Sequence, residues 1–192
     1  NIDFKYKMED IESSYEYDLV PADIEKSKKL AKLIKYAWLD AYVEALEETD
    51  QDGYMFLKRY VPKTMHLIGS PGYEQQGTQV LGTAEGGMKV TLYAVNKLTI
   101  DPDWLNSMYF HTMHHEFAHI LHQTKNYSTE YRQITEGKYV GDNWYQISLR
   151  QALQNGFISN YSMSYPDEDF VEVFSRYLTY SPFEWNYLLE IA

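Results

Sequence analysis

The chain has 192 residues, with 28 acidic against 17 basic side chains and a formal net charge of −11. That balance supplies no concentrated basic face for a phosphate backbone, so nucleic acid is excluded as an expected partner. It contains no cysteine, which excludes thiol nucleophiles, disulfides and Cys-ligated zinc and leaves His and carboxylate as metal ligands.

Residues 1–18, charged and Tyr-rich, read as an extended lead-in to one domain over 1–192. Asp18 to Asp23, with Pro21, opens a long amphipathic helix to about Glu48. Its apolar stripe is Leu30, Leu33, Ile34, Ala37, Trp38, Ala41, Val43 and Leu46, with the lysines from Lys26 to Lys35 on the solvated side. Thr49 to Gly53 ends it. The short segment Tyr54 to Tyr60 leads through Pro62 into a strand at Thr64–Ile68, stopped by Ser70-Pro71-Gly72. His66, isolated in that apolar run, reads as a satisfied strand histidine. Further strands are expected at Gln79–Ala84 and Lys89–Asn96, joined by a hairpin-type turn at Glu85-Gly86-Gly87. No Gly-Lys-Ser/Thr follows those glycines, so they form no phosphate loop.

Asp101-Pro102-Asp103 then starts a helix running from about 102 to 123: an N-cap acid, Pro at the first helical position and a second acid in the first turn. Trp104, Met108, Phe110, Met113, Phe117, Ile120 and Leu121 recur along it at helical spacing. Five of the six histidines fall here: His111, His114, His115, His119 and His122. His115-Glu116-Phe117-Ala118-His119 is an H-E-x-x-H pattern. Residues four apart share a helix face about 6 Å apart along the axis, so His115 and His119 can hold one Zn²⁺. Glu116, rotated off that line, suits a general base beside a metal-activated water. His111 could pair with His115 but has no Glu placed as Glu116 is. His114 and His122 point elsewhere on the helix and read as solvent or packing residues.

Residues 124–142 are polar and read as an irregular surface loop. A helix near Trp144–Gln154 is stopped by Asn155-Gly156. Pro166 opens another at about 166–179, and Ser181-Pro182 a short last one. Helix, small sheet, then helices suggests α+β. Two histidines leave a catalytic zinc site one ligand short. The cluster Glu168-Asp169-Phe170-Val171-Glu172 can supply it: Glu168 and Glu172 share a face, so one can ligate while the other bonds a ligand histidine's second nitrogen. Acids also suit a helix's first turn for the dipole alone.

The H-E-x-x-H segment followed by Glu168-Asp169-Phe170-Val171-Glu172 resembles the glutamate-liganded zincins, including lethal-factor-like endopeptidases. That resemblance implies a zincin-like fold, Glu168 as third ligand and an active-site Tyr seven residues earlier, Tyr161. Residues of about 20–180 resemble more closely a family of zinc-binding metallopeptidase lipoproteins associated with TonB-dependent nutrient import in Gram-negative bacteria. The matching pieces are Tyr60-Val61-Pro62-Lys63, Ile68-Gly69-Ser70, the Leu81–Gly87 run, His114–His122 and Glu168–Glu172. Val171 departs from the small Ala common there. The resemblance implies an extracytoplasmic protein at the outer membrane or cell surface, near import proteins, and attached only through a lipid anchor outside this chain. The start at Asn1, without initiator Met or signal peptide, reads as a mature fragment or a recombinant piece, and any export signal or lipid-anchor segment would lie upstream.

The expected function is a zinc-dependent metallopeptidase. His115, His119 and Glu168 hold the metal, Glu116 is the base, Tyr161 donates to the oxyanion and Glu172 supports a ligand histidine. The strand at Lys89–Asn96 could pair with an extended substrate backbone. Two other readings fit the motif: a non-catalytic nutrient-binding lipoprotein with a structural or vestigial metal, and a zinc hydrolase of a non-peptide amide or ester. A closed site marks the former and a water-open one the catalytic readings.

Overall fold

Capping side chains set most helix starts. The computed structural model describes residues 2–6, 19–73, 79–85 and 89–191. The chain divides into two compact units, Asn1–Thr112 and Met113–Ala192.

In the first unit, Asp23 caps α1 (Ile24–Ile34) by accepting from the Lys26 amide at 2.9 Å. A π-helical turn, Lys35–Asp40, carries the chain without a break into α2 (Ala41–Glu47), so the long helix predicted from the stripe is helical throughout. The stripe narrows to Leu30, Ile34 and Trp38, which are buried at 0–1%, whereas Ala37 and Ala41 are exposed. Asp18, placed at its opening, lies outside the described residues. The expected terminator is also a start signal: Asp52 accepts from the Met55 amide at 2.8 Å and caps α3 (Gly53–Tyr60).

A four-stranded mixed sheet follows, built from β1 (Asp3–Lys5), β2 (Thr64–Leu67), β5 (Gly82–Glu85) and β6 (Lys89–Leu92) in the order β1-β2-β6-β5. β1, β2 and β6 are parallel, and β5 is antiparallel to β6. β3 (Gly72–Tyr73) and β4 (Gln79–Val80) form a separate antiparallel pair. The strand expected at Gln79–Ala84 is therefore two strands, β4 and β5, paired with different partners. Gly86 and Gly87 of the expected turn lie outside the described residues.

The strand expected at Lys89–Asn96 ends at Leu92, because Ala94 adopts a left-handed conformation (φ 59°) and leads into a 3₁₀ turn at Val95–Lys97. Nor is it a free edge. β6 is bonded on both sides, to β2 and β5, so its backbone donors and acceptors are spent within the sheet and it cannot take a substrate strand. His66 is a buried β2 residue.

Asp101 caps α4 (Pro102–Leu105) through the Trp104 amide, and a π-helical turn at Asn106–Phe110 continues into α5 (His111–Thr124). The helix predicted from about 102 to 123 is thus continuous. The unit boundary falls inside α5.

In the second unit, the expected loop at 124–142 holds α6 (Thr129–Ile134). Its residues carry no apolar stripe, and periodicity detects only helices that have one. The helix expected at Trp144–Gln154 is a 3₁₀ turn, Gly141–Gln146, then α7 (Leu149–Gln154) behind a Ser148/Gln151 capping box. A 3₁₀ turn at Tyr161–Met163 precedes α8 (Pro166–Thr179), whose bounds are those predicted, and a Ser181/Glu184 capping box starts α9 (Pro182–Glu190). Among the described residues, Ala152, Phe157 and Met163 form one small core in this unit and Leu153, Ile158 and Leu188 another. The architecture is a helix-rich α+β fold with a small mixed sheet, as the element order had indicated.

Candidate metal centre

All six residues singled out by sequence lie in the second unit. His115 and His119 stand one turn apart on α5, with ring centroids 4.9 Å apart. Across from them, Glu168 sits in the first turn of α8, behind Pro166 at the first helical position. Glu168 Oε2 lies 3.2 Å from His115 Nε2 and 3.4 Å from His119 Nε2. Two donors each bound to one tetrahedral Zn²⁺ at 2.0–2.2 Å stand roughly 3.3–3.6 Å apart, so an ion fits between these atoms with only a slight adjustment. His115, His119 and Glu168 each offer one donor atom, all within 4.8 Å of one another.

The second nitrogens and oxygens are also engaged. His115 Nδ1 lies 3.1 Å from Glu172 Oε1. The other oxygen of Glu172 accepts from Ser159 Oγ and from Arg176 Nε, each at 2.9 Å, and Arg176 also donates to the Tyr180 hydroxyl. Glu168, Glu172, Arg176 and Tyr180 recur every four residues, so one stripe of α8 delivers the donor, its supporting carboxylate and that carboxylate's counter-ion. His119 Nδ1 lies 3.1 Å from His122 Nε2.

Asp169 turns away from this stripe. It is buried and accepts from Thr135 Oγ1 and the Tyr139 hydroxyl, each at 3.1 Å. Of the three acids the sequence left open, only Glu168 converges on both imidazoles.

The electrostatics fit a cation. Burial alone would lower the His115 imidazole. Hydrogen bonds to Glu168 and Glu172, with the nearby Glu116 charge, outweigh it and lift it to about 10. Burial alone would raise the Glu168 carboxyl, but the two imidazoles hold it down at about 2. The two shifts have one origin: Glu168 stays anionic and favours a positive partner at the Nε2 atoms it faces, a place that a proton or a metal ion can fill.

Tyr161 reaches the same place from the 3₁₀ turn. Its ring centroid is 6.0 Å from His115 and meets Trp144 edge-on at 4.9 Å. Burial, then the Glu168 charge and a hydrogen bond to Glu168, push its hydroxyl well above the usual range, so it stays protonated. Glu116 is half-buried and adds to the field at both His115 and Tyr161. His119, His122, Arg132, Tyr165, Asp167 and Glu168 border a cleft of about 520 Å³, within the range of small-ligand sites. His114, read as solvent or packing, is buried.

Sequence reasoning passed over Ser159, Arg176, Trp144 and the contact of His122 with His119. Two of these carried a signal: Arg176 follows Glu172 by four residues, and His122 follows His119 by three, both neighbour spacings on a helix.

The fold and site define a helix-rich α+β protein in which two histidines and one glutamate converge so that they could hold a metal ion. Residues 1–192 match the model of the family described as "Putative zinc-binding metallo-peptidase". The chain is also similar to the crystal structure of a "putative zinc-binding metallo-peptidase" from Bacteroides caccae ATCC 43185. Identity is 46% and the TM-score 0.82, over 100% of this chain and 71% of that one. A search of curated proteins gave no match. The chain belongs to this zinc-binding metallopeptidase family.

Proposed function

We propose that the protein is a zinc-dependent peptidase in which His115, His119 and Glu168 hold the metal and Glu116 is the general base. The observation that carries this reading is the convergence of Glu168 Oε2 on both Nε2 atoms, at 3.2 and 3.4 Å. Zinc held there supplies Lewis acidity, polarising a carbonyl and lowering the pKa of a water.

The chain's own groups do the rest. Glu116 accepts a proton from the attacking water and returns it to the departing amine. The Tyr161 hydroxyl, protonated because of its burial, donates to the oxyanion, a role worth about 3 kcal/mol. Glu172 accepts from His115 Nδ1 and keeps that ring's other nitrogen unprotonated and turned to the metal. The cleft beside His119 and Glu168 gives a peptide segment room. The same reading carries a setting outside the cytoplasm, on a lipid anchor beside import proteins of the outer membrane. No described helix is long and apolar enough to cross a membrane.

The test combines metal analysis with a peptide-library cleavage profile, with and without chelator. The expected result is one zinc per chain and cleavage that chelator abolishes. Glu116→Gln should keep the zinc and cleave nothing; undiminished turnover would remove Glu116 as the base. Zinc retained without any cleavage by the unmodified chain would favour a binding lipoprotein instead.

A further inference from the structure

The two imidazoles are backed by different groups. Behind His115 stands a carboxylate; behind His119 stands another histidine, with Nδ1 and Nε2 separated by 3.1 Å. Since His119 Nε2 faces Glu168, Nδ1 is the nitrogen left to carry the ring proton, and a donor there needs an acceptor. His122 Nε2 is that acceptor when the His122 proton sits on Nδ1.

The surroundings of His122 hold the ring in place for this. Tyr127 and Phe170 meet it edge-on, at 5.9 and 6.4 Å between centroids. Those two rings are themselves stacked at 4.3 Å and 17°, and Tyr127 is tied down by its hydroxyl, which donates to Asp167 at 2.6 Å. This aromatic box fixes the plane of His122, and of the two ring orientations that share that plane the one present puts Nε2 3.1 Å from His119 Nδ1.

We infer that His122 is a positioning residue: its Nε2 accepts the Nδ1–H of His119 and so holds that imidazole with Nε2 turned to the metal. The inference rests on the zinc reading given above. It accounts for something packing alone does not, since a Phe or Leu would fill the same box without an acceptor at 3.1 Å from Nδ1. A neutral acceptor also suits the charge of the site. The negative charge of Glu172 is already offset by Arg176, and a neutral ring behind His119 adds no second charge to be offset.

The experiment measures zinc affinity of the full chain by competition with a chromogenic chelator, in three variants. His122→Leu and His122→Phe fill the space and remove the acceptor; His122→Gln puts an amide oxygen near the position of Nε2. Both apolar variants should bind zinc about 10- to 100-fold more weakly, with a shifted visible spectrum in the Co²⁺ form, while Gln stays close to the unmodified chain. The thermal midpoint of each metal-free variant reports folding, and Phe carries the test if Leu does not fold. Unchanged affinity in the apolar variants overturns the inference, as does a Gln variant that falls as far as they do. An unmodified chain that takes up no zinc overturns the metal reading itself, a separate outcome.

Discussion

Behind His115 the site is sealed and ionic; behind His119 it is open and aromatic. Glu172, the carboxylate on the sealed side, is 2% exposed and held by Ser159 and Arg176. On the open side, Arg132 and Asp167 pair at 3.5 Å, each side chain 48% exposed, with Arg132 over the Tyr127 ring at 5.2 Å. Both regions contain an Arg–carboxylate pair, yet the two pairs carry different weight. A buried charge that loses its partner has no water to replace it; an exposed one does. The sealed pair therefore carries more of the fold's stability, and the exposed pair on the open side can be altered at little cost to the fold.

Arg176→Met should break the comparison most severely. It leaves Glu172 buried without its guanidinium and should lower stability by about 3–5 kcal/mol, read as the denaturation midpoint of the metal-free chain. A change no larger than that of an ordinary surface substitution would show the sealed side to be wetter than described.

Asp169 tests the same side through pH. Burial raises its carboxyl from 3.8 to about 6, against the hydroxyls of Thr135 and Tyr139, with the Glu172 charge adding to the rise. The folded chain therefore holds a proton that the unfolded chain releases. This group's contribution is full below about pH 4 and declines as pH rises to about 6. Asp169→Asn should abolish that decline, at most about 3 kcal/mol. Urea midpoints of metal-free parent and variant at both ends of the window measure it, and parallel midpoints would show that Asp169 does not titrate there.

The smallest effect is expected on the open side. Arg132→Met should cost about 0.5 kcal/mol or less in the same assay. A loss comparable to that of Arg176→Met would erase the distinction between the two sides.

Much of the site was legible in the chain because its determinants are local. The spacing of His115 and His119 needs only the pitch of a helix, and Asp101-Pro102-Asp103 announces that helix. Pro166 followed by three acids announces α8, whose bounds came out as read. The failures are also physical. α6 has no apolar stripe, so no period marks it. The strand at Gln79–Ala84 is divided between two partners, and the one at Lys89–Asn96 is cut short by the left-handed Ala94 and enclosed on both sides. Partner choice in a sheet is a long-range matter that local pattern does not encode.

By itself, then, the sequence determined which side chains could act and which of them share a helical face, because propensity, capping and periodicity operate within a few residues. Only the tertiary structure decided that Glu168, rather than Asp169 or Glu172, meets both imidazoles, and that Ser159, Arg176 and His122 stand behind the donors. Those choices depend on how α5 and α8 are set against each other, where a rotation of one residue, about 100°, would exchange one acid for the next.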